Sequence, residues 1–235
     1  PPPYAMFSDS LEAYGSSWTD DLPAEFRRRR GYDLLDHLPA LFGEAPEDAA
    51  VRYDWARTLS ELVDERYLMP ITAWARARGT RFRAQVYGVP PPTLSSNALV
   101  DLPEGEGADW RAFNSTRWAT SAAHLYDRPV VSAETWTWPH SPSWAATPLD
   151  MKVEADRHFL QGINQIVGHG WPYSPPSAGE LGWAFYAAAA LNDHNPWYPV
   201  MPAVTRYLQR VSAVLRLGRP DARVAVYLPT EDVFA

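Results

Sequence analysis

The stretch PVVSAETW, residues 129–136, contains the clearest predicted strand of the chain. Residues 130–133 are apolar or small, and they lead directly to Glu134. Short apolar runs of this kind are typical of parallel strands that are buried on both faces. The pattern therefore predicts an acidic side chain at the carboxyl end of a buried strand.

Four other short apolar runs share this character. They cover residues 4–8, 82–88, 165–171 and 223–229. Helical patterns lie between them, and because strand and helix alternate without an internal linker, the sequence predicts an α/β fold of βα units. Five strands are too few for a closed eight-stranded barrel. We therefore expect a partial (β/α)8 TIM-type barrel of about five C-terminal βα units, with an open parallel sheet as the alternative.

The helical patterns have identifiable ends. The longest covers residues 47–79, where Pro70 predicts a kink or a break and Gly79 a C-terminal stop. A further helix is predicted within residues 110–128. No glycine-rich phosphate fingerprint follows any predicted strand, which argues against a nucleotide-binding domain.

Composition excludes several classes of function. The net charge is −7, so the chain has no basic field that would attract nucleic acid. Cysteine is absent, which excludes disulfides and thiolate metal sites. No apolar run approaches the roughly 20 residues that span a membrane. The chain begins with three prolines and no signal peptide, so we expect a segment of a larger or processed protein, truncated on its N-terminal side. The segment itself carries no localisation signal, and a periplasmic or secreted parent protein is favoured.

Aromatic residues are abundant, with 11 Trp and 12 Tyr, and several stand beside Pro or Gly in predicted loops. Loop aromatics can form platforms for the apolar faces of sugar rings, although core packing is the ordinary role of any single one. Trp136 and Trp171 stand at the ends of predicted strands and are candidates for binding a sugar.

Acidic residues stand at three predicted strand ends. Asp9 and Glu12 follow the first strand in FSDSLE, Glu134 ends a later strand, and DLPEGEG (101–107) comes after a proline-rich loop. The chemistry of α/β barrels gathers at the carboxyl ends of the strands. Two carboxylates that converge there can perform glycoside hydrolysis. The alternatives are solvated surface acids for Asp9 and Glu12, and helix capping or an arginine pair for Glu134.

Two further groups of polar residues are candidates for the same site. Glu104 and Glu106 lie in DLPEGEG, where hard oxygen ligands in a bent loop suit Ca²⁺ and sugar hydroxyls can complete its coordination. An ordinary acidic turn is the alternative. His169, in VGHGWPYSPP, stands at another strand end, where it could bind a sugar hydroxyl, orient a carboxylate or serve only the structure.

Several ordered motifs together resemble glycoside hydrolase family 106, the bacterial α-L-rhamnosidases. They are FSDSLE, WTDDLPAEFRRRRGYDLLDHLPAL, DLPEGEG, SAAHLYDRPVVSAETWT, HFLQGINQIVGHGWPYSPP and RYLQRVSAVLRLGRPDARVAVYLP. The resemblance implies that residues 1–235 are a single segment of a (β/α)8 catalytic domain. It also implies an inverting, calcium-assisted hydrolase that acts on a carbohydrate or glycoside, with other domains in the parent chain.

The same resemblance implies roles for individual residues. Glu12 matches the general acid of the family, with Asp9 in support, and Glu134 matches the general base. An acid of DLPEGEG, Glu104 or Glu106, matches the position that contacts calcium or substrate.

Three other readings of the sequence stay open. A retaining glycosidase would use the same two glutamates at a closer separation. A non-catalytic carbohydrate-binding module would not require both Glu12 and Glu134. A fragment of an enzyme could also be inactive by itself.

Overall fold

The computed structural model describes residues 1–15, 17–109, 111, 114–138 and 143–229. The chain divides into two compact units. One comprises Pro1–Asp101 together with Asp221–Ala235, and the other comprises Leu102–Pro220. The helix predicted within residues 110–128 lies partly outside the described residues.

Two parallel strand pairs form the sheets of the first unit. The strands are β1 (Ala5–Ser8), β2 (Leu11–Glu12), β3 (Arg81–Gln85) and β4 (Gly88–Val89). β1 pairs with β3, which places Ser8 opposite Ala84. β2 pairs with β4, which places Glu12 opposite Val89.

Helices cover the rest of the first unit. They are α1 (Leu22–Arg30), α2 (Asp48–Val63) and α3 (Met69–Arg76), with 3-10 turns at Leu35–Leu41 and Leu94–Leu99. A π-helical turn, Asp64–Leu68, joins α2 to α3. The predicted interruption near Pro70 is this π-helical turn. Pro70 itself lies in the first turn of α3, where a missing backbone N–H is tolerated.

Strands and helices alternate strictly in the second unit. In chain order they are β5 (Leu102–Glu106), α4 (Ser115–Leu125), β6 (Ser132–Thr135), α5 (Pro148–Leu160), β7 (Gln165–Gly168) and α6 (Met201–Leu215). Short 3-10 turns lie at Pro176–Ala178 and Tyr198–Val200. β6 pairs in parallel with β5 on one side and with β7 on the other. The predicted α/β fold with parallel strands is confirmed, and closure into an eight-stranded barrel stays a prediction.

One face of the second unit's sheet packs against helices. Ala133 belongs to a buried cluster with Ala119 and Ala123 of α4. Thr135 Oγ1 lies 2.9 Å from Nδ1 of His158 on α5. Successive side chains of a strand alternate between faces, so the residues between these positions point away from the helices.

The opposite face of this sheet carries acidic residues. Ser132 Oγ donates a hydrogen bond of 2.5 Å to Glu104 Oε2, which shows that these two side chains share a face. Glu106 and Glu134 lie two residues further along the same strands, and they are opposite one another in the parallel register. The alternation of strand side chains places all three glutamates on this face.

The stretch 101–107 differs from its prediction as a bent loop, because Leu102–Glu106 forms β5. Gly105 serves close packing and not a turn. A Cβ atom on Gly105 would lie 2.4 Å from the Cα of Thr116 in α4. This stretch therefore has the composition of a loop but forms a strand, and a helix packs closely against it.

The strand predicted at residues 223–229 is not formed. These residues have neither helix nor strand, and Val224, Val226 and Tyr227 are between 80% and 87% exposed. An apolar run becomes a strand only where a neighbouring strand satisfies its backbone groups.

None of the helices in the described part of the chain has the length and apolar character needed to cross a membrane.

Candidate active site

Glu12 is held by its backbone at the end of β2. Leu11 N–H donates to Tyr87 O at 3.0 Å, and Ala13 N–H donates to Val89 O at 3.2 Å, so both neighbours of Glu12 are fixed. Its side chain is exposed, as is that of Asp9. The Asp9 carboxylate accepts a 2.8 Å hydrogen bond from the backbone of Ser10. The structure thus presents both acids on the segment that follows β1, as predicted.

The position of β2 depends on a glycine in β4. Gly88 has a φ of +118°, and a Cβ atom there would lie 2.0 Å from the carbonyl oxygen of Leu11. Only glycine combines this backbone conformation with so close an approach. The segment that carries Glu12 is therefore packed backbone to backbone.

Glu134 lies at the carboxyl-terminal part of β6, and its side chain is only 15% exposed. Its Oε1 accepts a 2.5 Å hydrogen bond from the hydroxyl of Thr137. The same hydroxyl oxygen lies 3.1 Å from His169 Nδ1, and that nitrogen lies 3.4 Å from Glu134 Oε1. The three side chains form one contiguous cluster.

The hydrogen-bond directions in this cluster follow from counting protons. A threonine hydroxyl has one hydrogen, and here it is donated to the carboxylate. His169 must therefore donate its Nδ1–H to the threonine oxygen, because that oxygen can only accept. This arrangement fixes the protonated ring nitrogen of His169 and orients the Glu134 carboxylate.

His169 is itself held by the strand that precedes it. Its backbone N–H donates to Thr135 O at 2.8 Å, which extends the pairing of β6 and β7 by one residue. Its ring meets Phe185 edge to face, with centroids 5.2 Å apart. The backbone hydrogen bond therefore fixes the position of His169, and an aromatic residue packs against its partly exposed ring.

Trp136 does not form a surface platform. It is 5% exposed, and its indole N–H donates to Met151 O at 3.0 Å. Its φ of +74° lies in the left-handed region, which is uncommon for a bulky residue. This backbone turn directs the ring against Gly168, where an added Cβ would lie 2.7 Å from it. The structure thus gives Trp136 a packing role in place of the expected sugar contact.

Trp171 has the exposure that a sugar platform needs. It is 58% exposed, and its ring meets Tyr198 edge to face with centroids 5.5 Å apart. One residue, Gly170, separates it in sequence from His169. Trp171 therefore stays a candidate for substrate binding.

Glu104 and Glu106 differ in accessibility. Glu104 is 1% exposed and accepts the hydrogen bond from Ser132 described above. Glu106 is partly buried, and its backbone is fixed by Ser115, whose hydroxyl donates to the Glu106 carbonyl at 2.6 Å. Of the two, Glu106 is therefore the one that ligands can reach more easily.

Comparison with known proteins decides the family of this chain. A sequence model described as α-L-rhamnosidase, that of glycoside hydrolase family 106, matches residues 4–234. The chain belongs to glycoside hydrolase family 106. The resemblance carried by the ordered motifs is thereby confirmed.

Relatives of this family 106 chain are much longer. The structure of a rhamnosidase from Novosphingobium sp. PP1Y matches with a TM-score of 0.67 and 26% identity, over 92% of this chain and 22% of that one. A protein from Formosa agariphila, provisionally named a β-glucuronidase, is 27% identical over 225 residues, which are 93% of this chain and 19% of that protein. The chain thus spans about a fifth of the length of these relatives.

The site residues of this family 106 segment fall into two sets. Asp9 and Glu12 belong to the first unit. The second unit brings Glu134 together with His169 and places Glu104 and Glu106 on the same face of the sheet. The assignments of acid, base and substrate contacts stay predictions.

Calcium binding by this segment stays a prediction. Within the described part of the chain, no group of three or more acidic or histidine side chains is arranged to hold a metal ion. Glu104 is buried against Ser132, and Glu106 lies beside it on the same strand. A calcium ion at β5 would need additional ligands.

Sequence reasoning missed two residues of this family 106 site. Thr137 follows Glu134 by three positions, so a hydroxyl just beyond a strand end was a usable signal. Glu154 on α5 gave no signal. It accepts hydrogen bonds from Trp136 N–H at 2.6 Å and from Trp138 Nε1–H, which lie 18 and 16 residues earlier in the chain.

Proposed function

We propose that this chain is part of the catalytic (β/α)8 barrel of an inverting α-L-rhamnosidase that releases terminal rhamnose from glycosides. The observation that carries the proposal is the Glu134 carboxylate, held at a strand end by Thr137 and His169. The family match supports the class of substrate. The length of the relatives indicates that other domains accompany this segment in the whole protein.

In the proposed reaction, Glu12 is the general acid and Glu134 the general base. Glu12 gives its proton to the glycosidic oxygen as the bond between that oxygen and C1 breaks. Glu134 takes a proton from a water molecule, whose oxygen bonds to C1 from the opposite face of the sugar. The products are the free aglycone and a sugar of inverted anomeric configuration.

The surroundings of Glu134 suit a base. Thr137 donates a hydrogen bond of 2.5 Å to its Oε1, which holds the carboxylate in one orientation. His169 adds a second donor close to the same oxygen. In this proposal the exposed part of His169 and the ring of Trp171 contact the sugar.

The proposal is tested on the full-length protein with an aryl α-L-rhamnoside. Proton NMR of the first product formed should show the anomer opposite to that of the substrate. Glu134→Gln should lower kcat by about two to four orders of magnitude, because water then lacks its base. Retention of the anomeric configuration would favour the two-step mechanism of a retaining glycosidase. An unchanged rate in Glu134→Gln would remove Glu134 from the reaction.

A glucuronoside is the second candidate substrate, and the name of the Formosa agariphila relative favours it. Rhamnose has a methyl group at C6, whereas glucuronic acid has a carboxylate. Parallel assays with the aryl α-L-rhamnoside and the aryl β-D-glucuronide distinguish the two. A higher kcat/KM for the glucuronide would replace rhamnose in the proposal.

Calcium has no part in the steps above. It is a proposal for the full-length protein, in which Glu106 would supply one ligand and groups beyond the described residues the others. Dialysis against a calcium chelator should then lower activity, and added CaCl2 should restore it. Full activity after dialysis, with no metal found by elemental analysis, would exclude calcium.

A further inference from the structure

Glu154 does not take part in the proposed reaction, yet it holds the segment that follows Glu134. It lies on α5 and is partly buried. Its Oε1 accepts the backbone N–H of Trp136 at 2.6 Å, and its Oε2 accepts the indole N–H of Trp138. Both carboxylate oxygens of Glu154 therefore accept hydrogen bonds, one from the residue before Thr137 and one from the residue after it.

The backbone of this segment needs such support. Trp136 has a φ of +74°, a conformation that is unfavourable for a bulky residue and persists only where neighbouring groups impose it. The bond from its own N–H to Glu154 fixes the peptide that leads into the turn. Trp138 is fixed again by its backbone N–H, which donates to Ala187 O at 2.8 Å.

Thr137 stands between these two anchored residues. Its backbone forms an antiparallel bridge with Ala188, and its hydroxyl reaches Glu134 and His169. A hydroxyl on a short side chain can reach a chosen carboxylate oxygen only if its backbone is well placed. The position of the Thr137 hydroxyl therefore depends on the two anchors.

We propose that Glu154 is a positioning residue for the base: by holding Trp136 and Trp138, it places the Thr137 hydroxyl on the Glu134 carboxylate. The inference rests on the proposed function, because it gives the cluster a purpose only if Glu134 is the base. Burial raises the pKa of the Glu154 carboxyl, and the hydrogen bonds from Trp136 and Trp138 oppose that rise. These opposing effects are consistent with a carboxyl group whose role is to accept the hydrogen bonds of Trp136 and Trp138.

The two donors make a sharp test possible. Glutamine at position 154 has one oxygen and one NH2 group, so it can accept from only one donor and sets its NH2 against the other. Phenylalanine at position 138 lacks the indole N–H. In the double variant Glu154→Gln/Trp138→Phe, the amide oxygen can accept from Trp136, and the NH2 group no longer faces a donor.

The variants are made in the full-length protein and assayed with the aryl rhamnoside between pH 4 and 8. Glu154→Gln should lower kcat roughly ten- to a hundredfold, since small misplacements of catalytic groups cost that much, and should leave KM within about twofold. The acidic limb of the pH–rate profile should also move, because the hydrogen bonds made by the proposed base change. The double variant should regain part of the loss.

Controls separate this inference from a general loss of structure and from the proposed function. Asp156→Asn removes the ion pair with Lys152 within α5 and alters the contact with Tyr207 of α6, and it should change stability without moving the pH limb. If Glu134→Gln is inactive while Glu154→Gln keeps the wild-type kcat and pH profile, the inference fails and the proposed function stands. If Glu134→Gln is fully active, the proposed function itself fails.

A second variant tests the inference if the first one does not fold. Should Glu154→Gln fail to fold, Trp138→Phe alone should give a smaller fall in kcat and should also move the pH limb. An unchanged profile in Trp138→Phe, or a double variant no better than Glu154→Gln, would overturn the positioning role.

Discussion

The side chain of Glu12 is exposed on a fixed backbone, which suits a residue that exchanges protons with substrate and solvent. We expect Glu12→Gln to affect substrates according to their leaving groups. With an alkyl rhamnoside, kcat/KM should fall by about two to four orders of magnitude, the usual contribution of general acid catalysis. With a nitrophenyl rhamnoside the fall should be small, since that leaving group needs little protonation.

Exposed Glu47, in the same unit, provides the matched control for Glu12. Glu47→Gln should leave both substrates unaffected. Equal losses on the alkyl and nitrophenyl substrates in Glu12→Gln would show that Glu12 is not the general acid.

The position of a single residue could be predicted where the strand that carries it could be predicted. It could not be predicted where contacts with a helix later in the chain determine the position. Glu134 and His169 lie at strand ends as predicted, because the apolar runs before them form β6 and β7. Trp136 was expected at the surface, but its left-handed backbone turns the ring inward. Nothing local in the sequence announces that turn, which is held by Glu154 on α5.

At the scale of elements, the contact of β5 with α4 depends on the missing side chain of Gly105. An alanine Cβ would meet backbone atoms of Thr116, at 2.4 Å from its Cα, and no rotamer change can relieve that contact. We expect Gly105→Ala to reduce the free energy of unfolding by about 1–3 kcal/mol, the usual cost of overpacking. Urea denaturation followed by circular dichroism measures this.

Gly218→Ala is the matched control for this element, since an added Cβ there meets nothing within 4 Å. Its denaturation midpoint should stay close to that of the wild type. Equal midpoints for Gly105→Ala and the wild type would show that α4 can shift away from β5 without cost.

Elements were predictable from their own composition only where composition and pairing agreed. β1, β6 and β7 lie within predicted runs, and β3 overlaps its run but begins one residue before it and ends three residues before its end. β5 was read as a loop because its Pro, Gly and Glu are rare in strands, and the close approach of α4 explains its glycine. Residues 223–229 have a strand composition but remain exposed, because strand formation also needs a paired neighbour.

At the scale of the whole molecule, buried His158 should make stability depend on pH. Burial lowers its pKa to about 4 from an ordinary value of 6.5. The unfolded chain therefore binds a proton at a higher pH than the folded chain. The stability is fully present above about pH 6.5 and is lost as the pH falls through about 4.

The shift corresponds to roughly 3 kcal/mol between pH 7 and pH 4, at about 1.4 kcal/mol for each pKa unit. Melting temperatures measured across this range should fall less steeply in His158→Asn than in the wild type, because that variant has no imidazole to protonate. Parallel curves for the two proteins would exclude His158 as a source of the acid sensitivity.

The two-residue length of β2 has a consequence for amide hydrogen exchange. A strand of two residues can open by itself, whereas β6 is paired on both sides and opens only with its neighbours. Deuterium uptake, followed by mass spectrometry, should thus be fast around Glu12 and slow around Glu134. The proposed acid would then lie on a segment whose backbone can open alone, and the proposed base on a strand that opens only together with its neighbours.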